Sequence, residues 1–261
     1  MKTRNGFVSN SSSSSFVVAF PKRPKTLEEV KKFLFGDKNA EGEVEYYDSK
    51  IPVDQVAEQV LRDIQDIKRS LSKKRIVKKF CSGWRYHYWV NGSDDFDIVD
   101  GVPVFTKKYF DGEGEPYFGN DKKALEELRI VEIEHNEKQK DYWEQYHYHQ
   151  DRMKSKLGPQ PDYSDKKAYK DYKTKLDAIE KQDKEWQEFR NNNNRFDDDY
   201  WKKNKELTQK CAEADVEEFL EDNKGCFITS FEYSDNDGDF FCLMEHGDIF
   251  KNLNHVRFNH H

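Results

Sequence analysis

The sequence predicts an α+β protein, with a small mixed or antiparallel sheet from strands at the two ends of the chain and a long helical, coiled-coil-like insertion. Three observations carry this. Runs rich in β-branched and aromatic residues stand near both ends, at Phe16-Val17-Val18-Ala19-Phe20 and Cys226-Phe227-Ile228-Thr229-Ser230-Phe231. About a hundred residues between them are highly charged and carry narrow apolar stripes at helical spacing. The composition is 36% charged and 35% hydrophobic, yet 15% aromatic, which gives a modest core with much exposed helix rather than a disordered chain.

Taken in order, Phe7-Val8 and Phe16–Phe20 read as strands around the serines Ser11 to Ser15. That run is a built-in polar loop, an anion-binding loop or a loose tail. As an anion site it would use Arg4, Ser9, Asn10, Ser11, Ser12 and Ser13, through hydroxyls and backbone N–H groups. Thr26 with Glu29 three residues on is a capping box, and Gly36 ends the helix that it starts. Val44 to Tyr47 reads as a strand. Pro52 opens a helix whose apolar positions Val53, Val56, Val60, Ile64, Ile67 and Leu71 form one face. The basic stretch Lys68–Lys79 and the aromatic Trp84–Trp89 follow, and Asn91-Gly92 signals a hairpin. Cations and aromatics so interleaved can grip single-stranded nucleic acid, but cations also suit a helix C-terminus and aromatics a strand. Residues 93–120 are turn-rich, with one or two short strands.

From Asp121 the pattern is helical. Gly158-Pro159-Gln160-Pro161 breaks it once and Asn191 to Asn194 break it again, which suits an antiparallel arm folding back on itself. The domains are then residues 1–120 with 224–261 as the core and 121–223 as the arm. The net charge is −7, and the arm holds 27 acidic against 21 basic residues, which argues against general nucleic-acid binding. Phe240–Met244 reads as the second strand of a hairpin turning at Asp235–Gly238. That turn is no calcium loop, because Tyr233 and Met244 stand where two oxygen ligands belong.

Chemistry-bearing motifs are few. Glu245, His246, His255, His260 and His261 crowd the C-terminus and could supply acid–base groups or hold one divalent transition metal, although no HExxH spacing occurs. No GxSxG, P-loop or GxGxxG is present, and the four cysteines show no CxxC. Neither a signal peptide nor a membrane-length apolar run is visible, so the expected setting is cytoplasmic. On the arm, Trp143, Tyr146, Tyr148, Trp186 and Trp201 are candidate partner-binding anchors.

The opening Arg4-Asn5-Gly6-Phe7-Val8-Ser9-Asn10-Ser11-Ser12-Ser13-Ser14-Ser15-Phe16 resembles the N-terminal signature of a loose group of uncharacterised bacteriophage and bacterial proteins. Phe231–Gly238, Glu245-His246-Gly247 and the terminal His260-His261 resemble the same group. The resemblance covers the first twenty and last thirty-five residues, and it implies a phage or prophage origin and a native histidine pair. The expectation is a phage-encoded interaction or inhibitor protein that binds a host complex, such as a defence assembly, through the arm and oligomerises. It needs no cofactor in that reading. The alternatives are a metal- or phosphate-dependent enzyme at the joined termini and a single-strand nucleic-acid binder.

Overall fold

The computed structural model describes residues 13–37, 41–46, 49–82, 85–86, 96–99, 102–105, 114–193, 196–235 and 238–260. Arg4, Ser9, Asn10, Ser11, Ser12, His261, Trp84, Trp89 and the Phe7-Val8 strand lie outside these residues, as do Asn91-Gly92. The α+β architecture is as the sequence predicts. Strand β1 (Ser13–Phe20) is the centre of a three-stranded antiparallel sheet, flanked by β6 (Phe227–Ser234) and β7 (Asn254–His260). The register pairs Ser14 with Tyr233 and Asn259, Phe16 with Phe231 and Arg257, and Phe20 with Phe227. The serine run is therefore a strand from Ser13 onward and not a loop.

Both faces of β1 are covered. Phe16, Val18 and Phe20 share a face with Phe227, Phe231 and Tyr233. That face packs with α1 (Leu27–Phe35), α2 (Val53–Ile64) and α8 (Asp239–His246). On the other face Phe80 of α3 (Lys73–Phe80) meets Phe258 at 5.2 Å and Phe219 at 6.2 Å. Burying a side chain of this size stabilises by about 1.5–3 kcal/mol. Two-stranded pieces complete the β structure of the described residues, β2 (Glu43–Tyr46) with β3 (Ser49–Pro52), and β4 (Phe96–Val99) with β5 (Val102–Phe105).

Local signals place several elements. Thr26 accepts from Glu29 N, Glu29 in turn accepts from Lys25 N, and Gly36 ends α1 with a φ of 73°. Two expectations need correction. The apolar period after Pro52 runs to Leu71, but α2 stops at Ile64. Leu71 N instead donates to Ile228 O, and Ile228 N donates to Ser70 Oγ, so residues 70–71 cover the open edge of β6. Ile67 keeps its place beside the core without being helical.

Phe240–Met244 is helix and not the second strand of a hairpin. Gly238, at a φ of 96°, turns the chain, and its carbonyl accepts from Phe241 N and Cys242 N to start α8. Gly247 ends it, where a Cβ would come within 2.6 Å of Leu243 O. The strand that the C-terminus contributes is β7.

The chain divides into two units, each taken separately. The first holds residues 1–89, 105–125 and 208–261, and the second holds 90–104 and 126–207. The chain passes between them inside α4 (Lys122–Ser155) and α7 (Phe196–Asp222). Within the second unit, α5 (Lys166–Gln182) and α6 (Lys184–Asn193) are separated at Asp183, which the sequence period runs straight through. Asp183 Oδ1 accepts from Trp186 N at 3.1 Å and so caps α6. Beside the cap, Met153, Trp186 and Phe189 form a small core against Tyr142, Tyr146, Leu176 and Ile179. Among the described residues no helix is long and apolar enough to cross a membrane.

Candidate functional site

Pairing of β1 with β7 puts Ser14, Arg257 and Asn259 on the sheet face that α8 covers. The Ser14 hydroxyl, 1% exposed, lies 3.1 Å from Glu245 Oε1 and 3.2 Å from Asn259 Oδ1, and it accepts from Arg257 Nε and Nη2 at 3.1 and 3.0 Å. Glu245, also 1% exposed, accepts from Asp235 N at 2.8 Å through its other oxygen. Arg257 Nη2 lies 3.0 Å from His246 Nδ1, whose Nε2 is 3.6 Å from Glu245 Oε1. Ser14, Glu245, His246 and Arg257 thus close a ring at one end of the sheet. The guanidinium also sits over the Phe16 ring at 5.8 Å.

The sequence singled out Glu245 and His246 of this ring but not Ser14 as a buried strand residue, nor Arg257. Period-2 alternation through Val256 and Phe258 is the signal that puts Arg257 on the opposite face. Of the other candidates, Ser13 pairs with Ser234 and His260 at the start of β1. His255 pairs with Val18, four residues or about 13 Å along the strand from Ser14. Its Nδ1 lies 3.0 Å from Leu253 O. The structure therefore brings Glu245 and His246 together and leaves His255 apart.

Asp235, Glu245 and His246 offer ligand atoms within 4.8 Å of one another. Glu245 and His246 already bond to other groups, however. A guanidinium only donates, so His246 Nδ1 accepts from Arg257, and the neutral ring carries its proton on Nε2 facing Glu245. A metal at Nε2 would need the lone pair that this tautomer lacks, in a place where Arg257 already supplies a positive charge. Nucleophilic chemistry is equally poorly served. Ser14 is buried and bonds to Glu245 rather than to an imidazole. Burial pushes the free thiols of Cys81 and Cys211 up to about 11 and about 12, so both stay protonated at neutral pH.

A second buried acid, which the sequence reading missed, organises the first unit. Asp215 accepts from Tyr86 OH at 2.5 Å, Gly119 N at 3.1 Å and Asn120 N at 2.8 Å. Arg85, 2% exposed, pairs with Glu115 and donates to Tyr117 O among the rings of Phe80, Phe118 and Phe258. This cation and Tyr86 are structural and closed to nucleic acid. The signal was available, since Asp215 lies between Cys211 and Phe219 on the apolar stripe of α7, where an acid has to be bonded.

The second unit offers a different kind of surface. Trp143, Tyr148, Tyr163 and Trp201 are 48%, 65%, 75% and 58% exposed. Trp143 Nε1 donates to Gln139 Oε1 at 3.1 Å, and Gln139 Nε2 lies 3.3 Å from His135 Nε2. His135 stacks on Tyr200 at 3.6 Å, and Tyr200 meets Trp201 at 4.8 Å. A continuous strip thus joins Trp143 to Trp201 beside a pocket of about 290 Å3, lined in part by Val131, Glu134, Lys138, Asp199 and Lys203. Of the five aromatics expected on the surface, Trp186 is corrected. It is 3% exposed, inside the small core, and Tyr146 packs half-buried against it at 5.4 Å.

Compared with protein-family models, curated proteins and solved structures, the chain matches none of them.

Proposed function

We propose that this chain is a non-enzymatic interaction protein whose second unit presents the surface that a partner protein binds. One observation carries the reading. Among the described residues every exposed large aromatic, Trp143, Tyr148, Tyr163 and Trp201, belongs to the second unit. Exposed tryptophan and tyrosine beside a pocket make the usual hot spots of a protein interface, because each brings much apolar area at small entropic cost. The committed donors of Ser14, Glu245, His246 and Arg257 favour this reading over an enzyme, since the polar cluster at the joined termini uses its bonds to hold the sheet together. The resemblance of the terminal motifs to a phage group makes a bacterial host complex, with a defence assembly as one case, the partner class of this proposal. Self-association belongs to the same reading.

The test is quantitative affinity capture from a bacterial lysate with the wild-type chain and with the W143A/Y148A/W201A variant. A partner enriched by the wild type and lost by the folded variant supports the proposal. Equal capture by both overturns it. Light scattering reads self-association separately, and a monomer at micromolar concentration contradicts that part.

A further inference from the structure

The geometry points to a second binding surface on α5, a lysine stripe that takes the phosphate backbone of single-stranded nucleic acid. None of the side chains of α5 is fully buried, and Tyr172, Leu176 and Ile179 form its half-buried side. At 100° per residue, Lys166, Lys167, Lys170, Lys173 and Lys181 gather on the opposite side, outnumbering the two exposed acids there, Asp171 and Asp177. All five lysines are exposed, and none has an ion-pair partner among the described residues. At 1.5 Å per residue the stripe is about 22 Å long, the reach of several consecutive phosphates.

In the basic stretch that the sequence highlights, Lys68–Lys79, two of the cations are already used within the fold. There Lys73 is paired with Glu217 and Lys79 with Glu232. On α5 no carboxylate of the described residues pairs with the lysines, so an external polyanion is the complement that the face lacks.

Tyr163 decides between nucleic acid and an acidic peptide. Its ring is 75% exposed and stands edge-on to Tyr169 at 5.1 Å, and Tyr169 borders the stripe next to Lys173. Cations that follow a phosphate backbone, with an exposed ring beside them on which a base can stack, are the two components of sequence-tolerant single-strand binding. The net charge of −7 opposes the encounter, so binding is weak and confined to low salt.

The experiment is fluorescence anisotropy of the full-length protein with labelled oligothymidine and oligouridine across a salt series. Binding should weaken with salt at a log–log slope of about −0.7 for each lysine engaged. The K166E/K170E/K173E variant, checked for unchanged helicity, should bind at least about tenfold more weakly and with a flatter slope. K68E/K74E/K78E should bind as the wild type does. Tyr163→Ala should lose about fivefold or more, the cost of one stacked base. Absence of binding at low salt, undiminished binding by the α5 variant, or equal competition by polyglutamate overturns the inference. Wild-type binding by Tyr163→Ala overturns it too. These readouts use no protein partner, so they fail or succeed independently of the proposed interaction surface.

Discussion

Ser14 and Glu245, 231 positions apart in the chain, share a buried hydrogen bond of 3.1 Å at the end of the sheet. The hydroxyl also accepts from Arg257, so one serine links β1, α8 and β7. Ser14→Ala leaves a buried carboxylate and a guanidinium each short of a partner. It should lower stability by about 1–3 kcal/mol in urea titration. Ser13→Ala, at the half-exposed start of β1, should stay within about 0.5 kcal/mol. Equal effects at the two positions would contradict the ring.

Asp215→Asn tests the buried acid of the first unit. An amide can accept through only one oxygen, so its NH2 would face either Tyr86 OH and Gly119 N–H, at the place of Oδ2, or Asn120 N–H, at the place of Oδ1. The expected loss is about 2–3 kcal/mol by chemical denaturation. Wild-type stability would show that these bonds are dispensable.

How much of this could be read from the sequence depends on range. Thr26, Glu29 and Gly36 fix α1 through groups a few residues apart, so they are legible in the residues alone. Aromatic and β-branched runs give β1 and β6, and the α+β class with them. Phe240–Met244 reads as a strand, and wrongly, because five apolar residues in a row suit a strand or a short buried helix equally. Asp239 in the first turn and Gly247 after the last were the deciding signals. The end of α2 was not legible, because what stops it is the edge of β6, more than 150 residues away. For the same reason Trp186 could not be told from Trp143 or Trp201. All three sit among charged residues, and only packing against Met153 and Phe189 buries one of them.

That difference gives a prediction. Trp186→Ala removes the centre of the small core and should cost about 3–5 kcal/mol in the stability of the second unit. Trp143→Ala and Trp201→Ala should each stay within about 0.5 kcal/mol. Differential scanning calorimetry separates the cases, and comparable losses at all three positions would refute the assignment.

Alkaline pH should unfold the first unit. Burial, and after it the carboxylate of Asp63, raises the Tyr233 hydroxyl well above its ordinary value, and burial also raises Tyr86 and Tyr117. A phenol raised in the folded state contributes stability that is complete below its unfolded value near 10 and is lost as the pH climbs toward the folded value. Tyr233→Phe should cost about 1 kcal/mol at neutral pH through the lost bond to Asp63. It should also flatten the fall in stability above pH of about 10. An unchanged alkaline slope would remove Tyr233 from that account.

The partner-binding role of the second unit is tested most directly by hydrogen–deuterium exchange on the full chain with and without the captured partner. Protection should appear in the peptides that contain Trp143, Tyr148 and Trp201, with the sheet strands Ser13–Phe20 and Phe227–Ser234 unchanged. Protection confined to those strands, with none at the exposed aromatics, would contradict the account.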